Sequence, residues 1–210
     1  MILLNDPRVR AVDIHDCGEP LVEITGAPGL LLDDRERDPH GSWGRVRTGV
    51  LARLCTAATK LPEGLQLLVI EGHRSAAEQQ RRFEAYAEGL RRAGVDDPTE
   101  LRCRTSAFVS PVEVAPHCAG AAVDVTLADP AGHELDMGGP VNGHRSGHEA
   151  SCAMHATHIS PQARLHRDIL TAAMTAAGFV NYPSEWWHWS HGDRYWALLT
   201  PPHTAHYGPI

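Results

Sequence analysis

The stretch Glu113-Val-Ala-Pro-His-Cys-Ala-Gly-Ala-Ala-Val-Asp124 leads into an apolar segment that alternates enough to form a strand. We predict a strand over 121–127, which would hold Asp124 on a rigid element. His117 lies seven residues before Asp124, and an uninterrupted strand would turn the two side chains to opposite faces. Gly120 lies between them and can adopt the backbone bend that brings both side chains to one point.

A second stretch, Ser184-Glu-Trp-Trp-His188, supplies another histidine and a glutamate three residues before it. Two histidines and one carboxylate leave a fourth position open for water, which is the pattern of a catalytic zinc site. Zinc in such a site is a Lewis acid that lowers the pKa of water towards about 7. A neighbouring carboxylate such as Glu185 can then transfer the proton. The two segments are therefore suited to binding one metal ion through His117, Asp124 and His188.

Arg74 is a further candidate for the same chemistry. It lies in Glu71-Gly-His-Arg-Ser75, directly after a short apolar run at 65–70 that we predict to be a buried strand. A guanidinium at this strand-to-helix turn can stabilise a developing oxyanion. The same position also fits a simple ion pair at the start of a helix.

Each of these features has a second interpretation. The spacing of His117 and Asp124 alone also fits a hydrogen-bonded pair in a core, and Cys118 fits either a ligand or, as we favour, a small core residue. The tryptophans at 186, 187 and 189 fit recognition elements or, as we favour, residues of a core or of a pocket wall. The tract 143–160 fits a second metal site or, as we favour, a solvated loop near the active site, because its spacings match no strong zinc motif. Its candidate ligands are His144, His148, Cys152, His155 and His158.

Composition narrows the class of protein. A chain of 210 residues with 42% hydrophobic and 21% charged residues is typical of one soluble globular domain, here residues 1–210. The net charge of −7 and the single lysine argue against nucleic acid as a partner. The apolar run at 1–8 is too short for a signal peptide. The sequence has no 18-residue apolar stretch, so no membrane span is predicted. Five scattered cysteines then favour reduced thiols and a cytoplasmic location.

Helices and strands are expected in irregular order, which favours an α+β fold over a doubly wound parallel sheet. Hydrophobic spacing and caps predict helices over 46–60, 75–93 and 160–178. Strands are predicted over 21–25, 65–70, 121–127 and 186–190. The segments 94–112 and 129–160 have no regular pattern and are predicted to be irregular.

Together these motifs resemble the D-alanyl-D-alanine dipeptidase family, the zinc enzymes of vancomycin resistance. The family pattern is Ser-x-His-x-x-Gly-x-Ala-x-Asp, then Glu-x-Trp-His, with Gly-Tyr-Arg-Pro upstream. The resemblance covers roughly residues 20–195, and the matching segments are Gly72–Ser75, Ala115–Asp124, Asp136–Gly138 and Glu185–His188. The family belongs to a larger group of zinc D,D-peptidases, which includes D,D-carboxypeptidases and shares its fold with Hedgehog signalling domains.

The resemblance implies a fold and a set of roles. The family fold has a central antiparallel sheet flanked by helices. One Zn²⁺ per chain would be bound by His117, Asp124 and His188. Glu185 would act first as general base and then as general acid, and Arg74 would stabilise the tetrahedral intermediate.

Several departures fall in the part of the pattern that recognises substrate. Ala115 replaces the serine two residues before the first ligand, and Asn142 replaces an aspartate that in the family receives the free ammonium of the dipeptide. Asparagine carries no countercharge, so we expect weaker recognition of a free amino terminus. His73 and Ser75 replace the usual tyrosine and proline around the arginine. We take Ala115, Asn142 and Trp187 as candidate substrate-binding residues.

The leading hypothesis is a zinc dipeptidase, or a related hydrolase of a small modified amide. The alternatives are a D,D-carboxypeptidase of cell-wall peptides, a hydrolase of an N-blocked amide or lactam, and a non-catalytic zinc-binding module. The presence of both Glu185 and Arg74 argues against the last, because neither is needed to hold a metal. The expected partner is a small-molecule or dipeptide substrate, and the sequence leaves a homo-oligomer open.

Overall fold

A five-stranded sheet lies at the centre of the computed structural model, which describes residues 2–106, 108–143 and 147–210. In chain order the strands are β1 Leu21–Glu23, β2 Leu30–Leu32, β3 Arg45–Arg47, β4 Gln66–Glu71, β5 Ala122–Ala128, β6 Val180–Asn181 and β7 His188–Ser190. The central sheet has the order β2-β4-β5-β7-β6, and β1 pairs with β3 in a small separate sheet. The pair β2–β4 is parallel, whereas β4–β5, β5–β7 and β7–β6 are antiparallel.

The helices pack around this sheet, and the predicted α+β class is confirmed. They are α1 Pro7–Arg10, α2 Thr48–Ala58, α3 Ala76–Arg92, α4 Pro98–Ser106, α5 Glu149–Cys152, α6 Pro161–Ala176 and α7 Arg194–Leu199. Helices α2 and α6 contact each other, and α6 also contacts β5 and β6. The largest hydrophobic core lies between these two helices and the buried strands β4 and β5.

The three long predicted helices are present, and their caps follow the sequence signals. The Ser75 hydroxyl accepts a hydrogen bond from the Glu78 amide at the start of α3, and the Ser160 hydroxyl accepts one from the Ala163 amide at the start of α6. Gly178 follows α6 with a φ of 85°, a left-handed conformation that glycine adopts at low cost. These local signals fix the ends of the two helices to within two residues of the predicted positions.

The prediction of an irregular segment at 94–112 is wrong, because α4 occupies Pro98–Ser106. The Asp97 carboxylate accepts a hydrogen bond from the Glu100 amide, which is a side-chain cap at the start of this helix. Only Leu101 and Thr105 are buried along α4, so it lacks the apolar stripe by which longer helices are recognised.

The segment 129–160 is largely irregular where it is described, apart from the short helix α5. The buried guanidinium of Arg167 on α6 donates hydrogen bonds to backbone carbonyls at Met137, Ser151, Ala153 and Met154. These bonds satisfy loop carbonyls that would otherwise be buried without a partner. No helix in the described parts of the chain is long and apolar enough to cross a lipid bilayer.

Candidate metal centre

Three neighbouring strands bring acidic and imidazole side chains into one row. In the register of the sheet Glu71 on β4 lies opposite Asp124 on β5, and Asp124 lies opposite His188 on β7. Residues directly opposite each other on paired strands project from the same face. The strands therefore gather two carboxylates and an imidazole at one place, although they are far apart in the chain.

His117 reaches the same place from a short 3₁₀ helix, Pro116–Ala119, that precedes β5. The next residue, Gly120, has a φ of 64°, and a Cβ atom there would lie 2.5 Å from Leu21 Cδ2. Only glycine fits this left-handed turn without strain or a clash. The predicted bend at Gly120 is confirmed, and it places His117 Nε2 3.3 Å from Asp124 Oδ1.

The three predicted ligands form a compact donor set. His117, Asp124 and His188 are buried, and one ligand atom from each lies within 4.8 Å of the other two. His188 Nδ1 lies 3.2 Å from Asp124 Oδ1. Among residues 2–106, 108–143 and 147–210, this is the only set of three or more His, Cys, Asp or Glu side chains with ligand atoms this close.

A contact behind His117 sets which nitrogen faces this donor set. His117 Nδ1 lies 2.7 Å from the carbonyl oxygen of Gly72. Because a carbonyl only accepts hydrogen bonds, Nδ1 donates to Gly72, and Nε2 is the nitrogen that faces Asp124. Metal-binding histidines are commonly oriented by such a contact, so two imidazoles and a carboxylate arranged in this way fit the donor chemistry of zinc.

Asp124 is ionised in this setting. Burial alone would raise the pKa of its carboxyl group, but the charge and hydrogen bond of His117, together with those of His188, outweigh burial. The pKa of Asp124 is therefore held well below its ordinary value. A carboxylate that is anionic at neutral pH is ready to act as a ligand.

Glu185 and Tyr182 flank the donor set at the end of the β6–β7 connection. Glu185 Oε2 lies 3.9 Å from His188 Nδ1, and the Glu185 side chain is 21% exposed, whereas the three ligands are almost fully buried. The ring of Tyr182 packs edge-on against the ring of His188, with centroids 5.9 Å apart. Burial raises the pKa of the Tyr182 hydroxyl to about 12, and the negative charge of Glu185 adds to the rise.

Arg74 is held beside the donor set by an acidic and an amide side chain. Its Nε donates to Glu71 Oε1 at 2.8 Å, its Nη2 donates to Glu71 Oε2, and its Nη1 donates to Gln79 Oε1 at 2.7 Å. Burial opposes the charge of Arg74, but the Glu71 carboxylate outweighs burial and raises the pKa of the guanidinium. Arg74 therefore forms an ion pair just before the start of α3 and also lines the cavity of the donor set, and its role towards an oxyanion stays a prediction.

A cavity of about 600 Å³ opens onto these groups. Two of the candidate substrate-binding residues, Ala115 and Asn142, line it. The prediction for the third candidate, Trp187, is corrected. Its side chain is fully buried in the hydrophobic core and does not line the cavity. Side chains alternate between the faces of a strand, so the residue before the inward-facing His188 points away from the cavity.

Glu36 and Arg82 also line the cavity, and the sequence did not predict either residue. Asn142 Nδ2 donates to Glu36 Oε1 at 3.0 Å, and Glu36 Oε2 forms an ion pair with Arg82 Nη2 at 3.0 Å. A carboxylate therefore lies beside the asparagine, although no acidic residue lies at that position of the motif. The contact joins residues 106 positions apart in the chain, and no local pattern marks it.

The remaining sequence alternatives are also decided by position. Cys118 is fully buried next to the first ligand but is not part of the donor set, and burial raises its thiol pKa to about 11. It is the small core residue that we favoured. In the tract 143–160, His148, Cys152, His155 and His158 do not belong to the described donor set, and His144 lies outside the described residues.

Comparison with known proteins gives the family. A family model described as D-ala-D-ala dipeptidase matches residues 48–207 of this chain. The chain belongs to this family. It is a metallopeptidase-type hydrolase, in agreement with the motifs at His117, Asp124 and Glu185-Trp-Trp-His188.

Two relatives agree with this family assignment. A D-alanyl-D-alanine dipeptidase of a Synechocystis species is 30% identical over 89% of this chain and 87% of its own length. A D-alanyl-D-alanine dipeptidase of Escherichia coli is 35% identical over 60% of this chain and 54% of its own length. Among solved structures, a variant of the vancomycin-resistance D,D-pentapeptidase VanY in complex with Zn(II) has 16% identity and a TM-score of 0.44, covering 74% of this chain and 76% of that one.

Proposed function

We propose that this chain is a zinc-dependent hydrolase of a dipeptide or small amide of the D-Ala-D-Ala type. The observation that carries the proposal is one cavity that contains the buried donor set, a more exposed carboxylate at Glu185 and a buried guanidinium at Arg74. A binding site for metal alone would need only the donor set. The proposal treats residues 1–210 as one catalytic domain in the cytoplasm, with one zinc per chain.

His117, Asp124 and His188 would hold the zinc, which would supply Lewis acidity and lower the pKa of water. Glu185 would take a proton from the attacking water and later pass it to the leaving amine. Its carboxylate lies next to His188 but remains partly exposed to the cavity, so it can reach a substrate. The proton would thus move between water, Glu185 and the amine nitrogen.

Arg74 would stabilise the negative charge that develops on the carbonyl oxygen of the scissile amide. A guanidinium has five N–H donors in a fixed plane, and the contacts with Glu71 and Gln79 use three of them. One N–H on each terminal nitrogen is left for a substrate oxygen. The ion pair with Glu71 fixes the plane of the guanidinium before the substrate binds.

The group beside Asn142 bears on whether the substrate has a free amino terminus. Asn142 itself carries no charge, but Glu36 lies within hydrogen-bond distance of it and lines the same cavity. We propose that Glu36 and Asn142 together accept the ammonium of a dipeptide. Arg82 already neutralises part of the Glu36 charge, so this recognition would be weaker than that of an unpaired carboxylate.

A substrate panel tests the proposed function. The zinc-loaded protein is assayed with D-Ala-D-Ala, L-Ala-L-Ala, N-acetyl-D-Ala-D-Ala and a small lactam, and a chelated sample serves as the control. We expect turnover of D-Ala-D-Ala that the chelator abolishes. Turnover of the N-acetylated peptide alone would instead favour the hydrolase of an N-blocked amide, and turnover of none of the four would contradict the proposal.

The variant Glu36→Gln tests the role of the amino terminus in the same panel. It should raise KM for D-Ala-D-Ala and leave KM for any N-acetylated substrate unchanged, because only the free ammonium interacts with the carboxylate. An equal rise for both substrates would assign Glu36 a structural role. Cell-wall pentapeptides added to the panel distinguish the D,D-carboxypeptidase alternative.

A further inference from the structure

The cavity extends well beyond the groups that would act on an amide bond. One wall is a stripe of α3 that includes Gln79, Arg82 and Tyr86, which are spaced to lie on one face of a helix. Gln79 holds Arg74 at the metal end. Tyr86 lies seven residues further along, which is about 10 Å of helix at 1.5 Å per residue.

A second part of the cavity wall is the segment 108–110, which follows α4. At the metal end Gln79 Nε2 donates to the Ser110 carbonyl at 2.6 Å, and at the far end the ring of Phe108 stacks on the ring of Tyr86. The two ring centroids are 5.5 Å apart and the rings are inclined by 27°. The two segments therefore run in opposite directions and contact each other at both ends, and the cavity that they line extends from the donor set to the aromatic pair.

Phe108 is unusually exposed for an aromatic side chain in a cavity. It is 53% exposed, and together with Leu165, Leu199 and Ile210 it is one of the exposed large hydrophobic residues of the described chain. The other three do not line the cavity, whereas Phe108, Tyr86 and Val109 do. Exposed apolar surface that is continuous with a polar site is typical of a ligand-binding wall.

The size of the cavity points the same way. About 600 Å³ lies within the range of pockets that enclose drug-sized ligands. A dipeptide of two alanines has only two methyl side chains, and neither could cover an aromatic pair two helical turns along α3 from Gln79. A larger apolar group on the substrate would bury both rings.

We propose that Tyr86 and Phe108 form an apolar subsite that binds an aromatic or large aliphatic group of the substrate. This inference rests on the proposed function, because it names the kind of amide that the same centre would hydrolyse. The donor set, Glu185 and Arg74 would act on the amide bond. The aromatic pair would discriminate between substrates by the size of the group beside that bond.

Binding tests the subsite without relying on turnover. Calorimetry on the zinc-loaded Glu185→Gln protein compares the Kd values of D-Ala-D-Ala, D-Phe-D-Ala and D-Ala-D-Phe. One of the two phenylalanine peptides should bind about tenfold more tightly than D-Ala-D-Ala, the order expected for burying one aromatic side chain. Phe108→Ala should remove this preference, whereas Leu165→Ala, which changes an equally exposed residue on α6, should retain it.

Equal affinity for all three peptides, no measurable binding of any, or a preference that survives Phe108→Ala would overturn the subsite. The proposed function is judged separately, by turnover of the same peptides with the unmodified zinc-loaded protein. A protein that shows the binding preference but hydrolyses nothing would contradict the hydrolase and support the subsite. A protein that hydrolyses all three peptides equally well and binds them equally would support the hydrolase and contradict the subsite.

Discussion

Arg74 lies in a short motif that fits both an ion pair and a role in catalysis. Its ion pair with Glu71 and its hydrogen bond to Gln79 use three N–H groups, and its side chain lines a cavity that also contains the donor set. The sequence predicted the arginine from its place after a buried strand. It did not predict Glu71 as the partner, although Glu71 lies only three residues before Arg74.

The variant Arg74→Lys tests this arrangement. Lysine keeps the charge but cannot form the two-point contact with Glu71 and still present N–H groups to a substrate. We expect kcat to fall by about 10²–10³, the loss typical of removing one oxyanion donor, with zinc content unchanged. Steady-state kinetics and metal analysis provide the measurement. Arg92→Lys, at the exposed end of α3, is the control, and equal effects of the two variants would contradict a role for Arg74.

Short helices and strands position the side chains of the site. The sequence predicted some of these elements correctly and missed others. The strand that carries Asp124 and the glycine before it have strong local patterns, so β5 and its entry were predicted correctly. Helix α4 was missed because it buries only two residues and has no apolar stripe. The two-residue strand β6 has a pattern too short to be recognised, although it closes the sheet beside His188.

Gly72 follows β4 directly and lies against both Arg45 and His117. A Cβ atom there would lie 2.4 Å from the Arg45 carbonyl oxygen, and the carbonyl of Gly72 orients His117. We expect Gly72→Ala to displace this backbone, lower the melting temperature and weaken zinc binding by about 10–100-fold, as loss of an orienting contact does.

Thermal melts and competition with a chelator measure both effects of Gly72→Ala. Gly89→Ala is the matched control, because a Cβ atom at that position in α3 meets nothing within 4 Å. The control should be neutral or stabilise the helix by up to about 1 kcal/mol. Unchanged zinc affinity in Gly72→Ala would show that its carbonyl does not position the ligand.

At the scale of the whole molecule, two of the buried carboxylates lie at the site, and their neighbours hold both ionised. Burial would raise the pKa of Glu71, but Arg74 outweighs burial and lowers it from 4.5 to about 2. Asp124 is depressed in the same direction by His117 and His188. Burying these two carboxylates costs free energy. Strongly shifted pKa values of this kind are characteristic of functional sites.

Acid should therefore destabilise the metal-free protein. A carboxyl group whose folded pKa is depressed contributes stability above its unfolded pKa, and this stability is lost as pH falls through the folded pKa. For Glu71 the window runs from about 4.5 down to about 2. Urea unfolding of the chelated protein should show a falling free energy of unfolding across this window, with a shallower dependence in Glu71→Gln. An identical pH dependence in the two proteins would contradict the depressed pKa.

The central claim is that His117, Asp124 and His188 hold a metal while Glu185 performs the proton transfer. It is tested most directly by measuring bound zinc and turnover together in the unmodified protein, in Glu185→Gln and in His117→Ala. We predict one zinc per chain in the first two proteins, a loss of kcat of at least about 10²-fold in Glu185→Gln, and loss of zinc in His117→Ala. Full zinc content in His117→Ala, or normal turnover by Glu185→Gln, would contradict the account.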